Sequence, residues 1–309
     1  EMKILTQQII VRLMFGSQLA VAEAESIGCA FATLLKYFHY RHESLFALPE
    51  HWPTPRNHQM RQAQQLLDRF VRRIIEERRN NAIDGNDLLS MLLEARDEET
   101  GDGMSDQLIR DEVRTFFISG YDSTSNALAW VWYVLAQHPH VEQQLYEELG
   151  TVLGGRTPSF EDLPKLTYLR MVIEETLRLY SPAWATGRTA VAEDWIDGFY
   201  IPAGAKVIIS PYVTHRLPFL WSDPETFEPE RFTAERSAGR HRCAYFPFGF
   251  GPRSCIGNNL AMLEAQLIVA TVAQEYQLRL KPGHRVQAHP TLLMEPRYGI
   301  QVIARSRRV

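Results

Sequence analysis

Residues 1–97 carry apolar positions at helical spacing, separated by short polar breaks. Ile4, Ile9, Ile10, Leu13 and Met14 recur at helical spacing, and Phe15-Gly16 closes that segment. A second helix is predicted over Leu19 to Tyr40. Leu48-Pro49-Glu50-His51-Trp52-Pro53-Thr54-Pro55 is a proline-punctuated loop. A long helix follows to Arg79, and its charged end Glu76-Glu77-Arg78-Arg79 reads as a solvated face.

The acidic, glycine-containing stretch Asp97 to Ser105 predicts a surface loop. Asp106 to Gln137 reads as one long helix with an apolar body, ended by His138-Pro139; Val141 to Leu149 begins another. Leu166 to Tyr180 is an amphipathic helix stopped by Ser181-Pro182. Between Ala183 and Ser210 the period changes: Val191, Trp195, Tyr200, Ile201, Val207 and Ile208 sit among Gly and Pro and predict short strands. Residues 211–254 look irregular, and Asn258 to Gln274 is a last apolar helix. Val286 to Arg305 predicts strands with turns at Glu295-Pro296 and Tyr298-Gly299. The pattern is that of a mainly α protein with a minor β part, in one domain spanning 1–309.

Composition changes this picture little. The 309 residues are 45% apolar and 23% charged, ordinary for a globular domain. A net charge of −4 gives no reason to expect nucleic acid or an acidic membrane surface. The three cysteines, Cys29, Cys243 and Cys255, lack C-x-x-C spacing, which argues against a disulfide framework and a zinc site and favours a reducing compartment. The longest unbroken apolar run, Ala127 to Ala136, has ten residues, half of the roughly 20 a spanning helix needs.

Candidate chemistry centres on Phe246-Pro247-Phe248-Gly249-Phe250-Gly251-Pro252-Arg253-Ser254-Cys255-Ile256-Gly257, which matches F-x-x-G-x-R-x-C-x-G. Five fixed residues coincide by chance with probability on the order of 1 in 20,000 in a chain this long. An iron thiolate needs an exposed sulfur held at fixed geometry. Gly249, Gly251 and Gly257 let the backbone lie against a flat macrocycle. Cys255 directly precedes an apolar helix whose positive end favours the thiolate. Arg253 can pair with a carboxylate, and Phe248 would pack on the sulfur side. Cys29 and Cys243 have no such setting.

This loop resembles the haem-binding signature of the cytochrome P-450 family. The resemblance implies that Cys255 is the thiolate ligand of a haem b iron, with Arg253, Phe248, Gly249 and Gly257 around it. It extends to three further features, and with them to nearly the whole chain.

Glu175-Thr176-Leu177-Arg178 resembles the family's E-x-x-R helix, and Phe227-Glu228-Pro229-Glu230-Arg231-Phe232 its P-E-R-F segment. The implied arrangement is a buried ion network of Glu175, Arg178 and Arg231 that locks the cysteine loop to the core. Glu76 and Arg79 show the same spacing, so position rather than spacing singles out Glu175 and Arg178.

Ser119-Gly120-Tyr121-Asp122-Ser123-Thr124 interrupts an apolar helix. A mid-helix glycine costs about 1 kcal/mol, and Ser and Thr there bond back to the preceding turn, so a loosened helix is expected. The segment resembles the family's oxygen-binding groove, in which an acid and a hydroxyl relay protons. Asp122 matches the acid. Ser123 stands where threonine is usual, with Thr124 next, and the resemblance leaves open which hydroxyl acts.

Arg188 lies where the family often places a second propionate-binding base, although an exposed strand arginine would look the same. Ala183, Trp184, Ala185 and Thr186, with Leu292 and Leu293, would border the substrate pocket. The resemblance also implies a further N-terminal third that these residues lack.

The expected activity is insertion of one atom of O2 into an apolar small molecule, by hydroxylation or epoxidation. Its electrons would come from a separate ferredoxin or flavodoxin-type donor, because no flavin or iron–sulfur sequence occurs through Val309. Arg231, Arg236, Arg240, Arg242 and Arg253 offer a basic patch for such a donor. A peroxide-using or isomerising haem-thiolate enzyme and a non-catalytic truncated haem-binding fragment are the competing readings. The expected setting is soluble and cytoplasmic, with room for an anchor in the lacking N-terminal part.

Overall fold

The structure is a computed structural model that describes residues 1–16, 21–44, 48–81 and 87–307. The predicted helix start at Leu19 lies outside the described residues, as do the side chain of Arg79 and residues 308–309. The chain forms two compact units, Glu1–Ser125 and Asn126–Val309.

In the first unit the apolar stripes become α1 (Met2–Phe15), α2 (Val21–Glu43), α3 (Pro55–Asn81), α4 (Leu88–Glu94) and the first part of α5 (Asp106–Gln137). Ile10, Val11 and Met14 of α1 join Phe31 and Leu34 of α2, Leu67 and Val71 of α3, and Val113 and Phe117 of α5 in one buried cluster. The Phe31 and Phe117 rings stack with centroids 3.7 Å apart. Each such side chain contributes about 1.5–3 kcal/mol on burial. The end of the Gln7 side chain of α1 fills the space over Gly28 of α2 where a Cβ would stand. Asp87 caps α4 by accepting from Ser90 N–H at 2.9 Å, and Arg78 pairs with the same carboxylate.

The second unit opens with the rest of α5. Pro139, with no N–H to give, ends α5 and serves as the first residue of α6 (Pro139–Leu153). Gly154 stops α6 in the left-handed conformation, φ 59°. A short 3₁₀ turn (Phe160–Lys165) leads to α7 (Thr167–Leu179). Leu166 has no capping side chain, and Glu148 of α6 does the work instead, accepting from Tyr168 N–H at 2.7 Å and Leu169 N–H at 2.9 Å.

Four strands follow, β1 (Thr186–Thr189), β2 (Asp194–Ile196), β3 (Phe199–Ile201) and β4 (Lys206–Ile209). They form two antiparallel pairs, β1 with β4 and β2 with β3. Two single-turn helices, α8 (Pro211–Thr214) and α9 (Ala234–Ser237), order the stretch that reads as irregular. After α10 (Asn258–Glu275) come β5 (Tyr276–Leu280), β6 (Ala288–Pro290), β7 (Met294–Pro296) and β8 (Val302–Ser306), paired β5–β8 and β6–β7. This is the mainly α architecture with a minor β part that the pattern predicts.

Two local expectations are corrected. Glu295-Pro296 is strand rather than turn, with Pro296 opposite Ala288 at the end of a two-stranded pair. A proline is tolerated there because an edge strand has unpaired positions, and the turn comes just after, closed by Gly299 N–H on Pro296 O at 3.0 Å. Strand β5, directly after α10, has no break in sequence to announce it. Tertiary partners fix it: Gln277 donates to Glu142 of α6 at 3.0 Å, and Arg279 lies 3.5 Å from the same carboxylate.

Candidate functional site

The amphipathic pattern of α7 places Glu175, Thr176 and Arg178 on a face with no solvent exposure. Three residues apart on a helix, Glu175 and Arg178 meet side by side. Arg178 donates twice to the carboxylate, from Nε at 2.7 Å and Nη2 at 2.8 Å. Its other protons go to the carbonyls of His215 and Pro224, both at 2.7 Å, and Thr226 at 3.1 Å. Glu175 also accepts from Glu228 N–H at 3.0 Å. Arg231 Nε comes within 3.3 Å of Glu175, too poorly aligned for a hydrogen bond, while its Nη atoms bond Ser222 O at 2.5 Å and Asp223 O at 2.9 Å. The structure thus brings Glu175, Arg178 and Arg231 together. Among the described residues, their bonds reach the 215–231 segment and none reaches 246–257.

The connection to the cysteine loop runs through residues that sequence reasoning missed. His215 is fully buried, and Phe246 N–H donates to its Nε2 at 3.0 Å. Tyr245 hydroxyl donates to Glu174 O of α7 at 2.9 Å. Burial pushes the Tyr245 pKa well above its usual value and drives that of His215 down to about 3. A lone histidine after four strand residues and a helical turn carries no sequence signal of this role.

The loop itself is tight. Gly249 and Gly251 take φ +74° and +73°, a region that side chains avoid. Gly249 N–H bonds Phe246 O at 3.0 Å, and Cys255 N–H bonds Phe248 O at 2.8 Å. Cys255 is a free thiol and exposed, three residues ahead of α10. Within five residues of it in sequence, Phe250, Ile256, which is 86% exposed, and Leu260 are also exposed. A Cβ on Gly257 would sit 3.8 Å from the Cys255 sulfur, in ordinary contact with it. Arg253 is exposed, and Phe248 is half-buried.

In the first unit, α5 is continuous through 119–124, against the expected loosening. Ser123 Oγ donates to Ser119 O at 2.7 Å and Thr124 Oγ1 to Gly120 O at 3.0 Å, satisfying the hydroxyls without opening the helix ladder. The physical reason for Gly120 is packing: a Cβ there would meet Ile10 Cδ1 of α1 at 3.0 Å. Asp122 is 1% exposed, with Lys3 Nζ 2.9 Å from Oδ1 and no hydrogen bond on Oδ2 among the described residues. Thr124 is buried, and Ser123 is half-buried on the more open side.

The two segments expected to border a substrate pocket are neighbours in the second unit. Trp184 Nε1 donates to Thr291 O at 2.8 Å, and Met294 N–H to Pro182 O at 2.8 Å, so Ala183, Trp184 and Ala185 run alongside Leu292 and Leu293. Leu292 is exposed and Trp184 half-buried. Arg188, on β1, folds back onto Thr186 Oγ1 and Gly187 O, each at 2.9 Å. Of the five arginines in the basic stretch, Arg231 is spent on the network, Arg236 on Glu228 at 2.6 Å, and Arg240 on Arg231 O. Arg236 is exposed along with its partner, as are Arg242, over the Phe250 ring, and Arg253.

A haem fits these residues. An exposed thiol on a glycine turn, with exposed apolar residues Phe250, Ile256 and Leu260 in and just after the loop, is a setting that a flat iron macrocycle would cover. Among the described residues no group of three His, Cys, Asp or Glu side chains could hold a metal ion by itself, so an iron at Cys255 would be held there as part of such a macrocycle.

Comparison with known proteins agrees with this geometry. The Cytochrome P450 family model matches residues 2–304. Cyclooctat-9-en-7-ol 5-monooxygenase of Streptomyces melanosporofaciens is 38% identical over 91% of this chain and 61% of its own length. Pentalenene oxygenase of Streptomyces avermitilis is 32% identical over 90% of this chain and 62% of its own. A crystal structure of the cytochrome P450DA heme domain superposes with TM-score 0.90 at 29% identity, covering 99% of this chain and 67% of that one. The chain belongs to the cytochrome P450 family. It spans about three fifths of the length of these bacterial relatives. Among the described residues no helix is long and apolar enough to cross a membrane.

Proposed function

We propose that this chain is the thiolate-bearing part of a haem monooxygenase, which inserts one atom of O2 into an apolar small molecule by hydroxylation or epoxidation. The observation that carries the reading is the free, exposed Cys255 thiol on its glycine turn. The cofactor is haem b. When bound, it supplies a thiolate-ligated iron that activates dioxygen.

The chain's own residues have separate tasks. Cys255 is the iron's ligand, held by its N–H bond to Phe248. Phe248 covers the sulfur, Gly249 and Gly257 keep side chains out of the macrocycle's way, and Arg253 and Arg188 bind its propionates. For Arg188 this exchanges its side-chain bonds to Thr186 Oγ1 and Gly187 O for the propionate. Asp122 holds and releases a proton at the unbonded Oδ2, and Ser123 or Thr124 passes it on. Glu175, Arg178 and Arg231 hold the frame. Ala183, Trp184, Ala185, Leu292 and Leu293 line the substrate side, where Trp184 is fixed by its indole N–H.

Residues 1–309 act as one catalytic domain in this reading, as the family match over 2–304 supports. A separate ferredoxin or flavodoxin-type protein delivers the electrons, with Arg242, exposed over the Phe250 ring, as a cation to meet it. Three free cysteines suit a reducing cytoplasm. The names of the two Streptomyces relatives, a monooxygenase and an oxygenase, support the reaction class.

A reduced carbon-monoxide difference spectrum of wild type and Cys255→Ala tests the reading. The wild type should show the strongly red-shifted Soret band of thiolate ligation, and Cys255→Ala should lose it. A wild type without that band overturns the proposal. Turnover with hydrogen peroxide and none with any electron donor would replace the monooxygenase with a peroxide-using enzyme.

A further inference from the structure

The C-terminus of α7 leaves four carbonyls that the helix cannot satisfy. All four are answered. Thr176 O accepts from Tyr180 N–H at 2.7 Å, Leu177 O from Ser181 Oγ at 2.6 Å, Arg178 O from His215 Nδ1 at 3.1 Å, and Leu179 O from Arg216 Nη2 at 2.7 Å. The His215 contact has a consequence the others lack. A carbonyl only accepts, so the proton must be on Nδ1. Nε2 is then an acceptor, and Phe246 N–H donates to it at 3.0 Å. Both faces of one neutral ring are committed, one to the helix and one to the loop.

Protonation would break this arrangement, since an imidazolium has no acceptor to offer Phe246. Burial among Tyr245, whose ring is 5.3 Å away, Phe246 and Trp221 disfavours the charged form, as do the nearby guanidinium groups of Arg178 and Arg216. The ring is also tied from behind, because Arg178 Nη1 donates to the His215 carbonyl at 2.7 Å. Residue 215 thus exchanges bonds in both directions with the arginine of the ion network.

From Phe246 the path to the cysteine is short. Phe246 O accepts from Gly249 N–H at 3.0 Å, and Phe248 O accepts from Cys255 N–H at 2.8 Å. A slip of Phe246 would move both ends of that turn.

We infer that His215 is a positioning residue: its neutral imidazole bolts the first residue of the cysteine loop to the C-terminus of α7, and this sets where Cys255 lies. The effect on the loop stands on geometry alone. The effect on iron ligation rests on the haem-thiolate reading.

Three full-length variants separate this from general packing. His215→Phe keeps the ring and removes both bonds. His215→Gln keeps an acceptor at the far end for Phe246, and His215→Asn keeps only a donor at the near end for Arg178. Amide hydrogen exchange is read at Phe246, with Met294 N–H, bonded to Pro182 O at 2.8 Å in the same unit, as the control. Phe246 exchange should quicken about tenfold or more in the Phe and Asn variants, with Met294 unchanged and His215→Gln close to wild type. In haem-loaded protein, the Phe and Asn variants should also convert faster from the thiolate-type to the thiol-type carbon-monoxide spectrum.

Equal Phe246 exchange in all four proteins overturns the proposal. So does His215→Gln failing as badly as His215→Phe, or Met294 quickening in step with Phe246. If wild type binds no haem, the functional reading falls while the exchange measurement still decides the role of His215.

Discussion

Glu175 and Asp122 are both helical carboxylates removed from water, at 0% and 1% exposure, yet they are held in opposite ways. Glu175 has a bidentate arginine, a second guanidinium and a backbone N–H, and the arginine's remaining protons are spent on carbonyls. Asp122 has one ammonium, from Lys3, which is itself 52% exposed, and one oxygen without a hydrogen bond among the described residues. A buried charge with every site committed is a rigid strut. A buried carboxylate with one partner on a long, solvated stem is held at one point only. The difference separates a residue that holds the frame from one whose open oxygen is the basis of the proposed proton relay.

The most severe way to break the comparison is Glu175→Ala. It strands two buried guanidinium groups and should cost about 3–5 kcal/mol, read as a lower urea midpoint. A loss under about 1 kcal/mol would mean the network is solvated. Asp122→Asn, nearly isosteric, should leave the urea midpoint close to wild type and lower O2-dependent turnover by about 100-fold in haem-loaded protein. Large unfolding with unchanged turnover per folded molecule would make Asp122 another strut.

Glu264 on α10 sharpens the contrast as a third case, a buried carboxyl whose Oε1 has no hydrogen bond among the described residues. Burial pushes its pKa from 4.5 up to about 7. The folded chain therefore binds the extra proton, and stability falls as pH rises across that window. Glu264→Gln should flatten the dependence and be more stable at pH 8 by on the order of 1–3 kcal/mol. A variant less stable than wild type at pH 8 would show that the carboxylate has a partner in solution. The smallest effect is expected for Lys3→Ala, below about 1 kcal/mol in unfolding, as for other half-exposed pairs.

Much of this was legible in the sequence, element by element. The bounds of α5 followed from the apolar run between Asp106 and the His138-Pro139 stop, because a proline without an N–H is a local fact. The cysteine turn was legible because glycines at fixed spacing around a reactive residue state a backbone requirement. Gly120 misled: its local meaning is a weak point in a helix, and its actual neighbour is Ile10, more than a hundred residues away. His215 was invisible for the same reason, as its two partners are Arg178 and Phe246. Strand β5 went unread because its partner, β8, and the carboxylate that steadies it, Glu142, are remote in sequence.

By itself the sequence determined the helices, the glycine turn, the ligand candidate Cys255 and the acid–base pair of α7. These depend on neighbours within one or two turns, where propensity, period and steric restriction act. Tertiary structure alone decided which polar groups are fully bonded and which are left open. It turned Arg231 inward, paired Arg236 with Glu228 and Arg240 with the Arg231 carbonyl, joined α7 to the cysteine loop through His215, and left Asp122 half-satisfied. Satisfaction of a buried polar group is a sum over partners drawn from anywhere in the chain, and no local pattern records it.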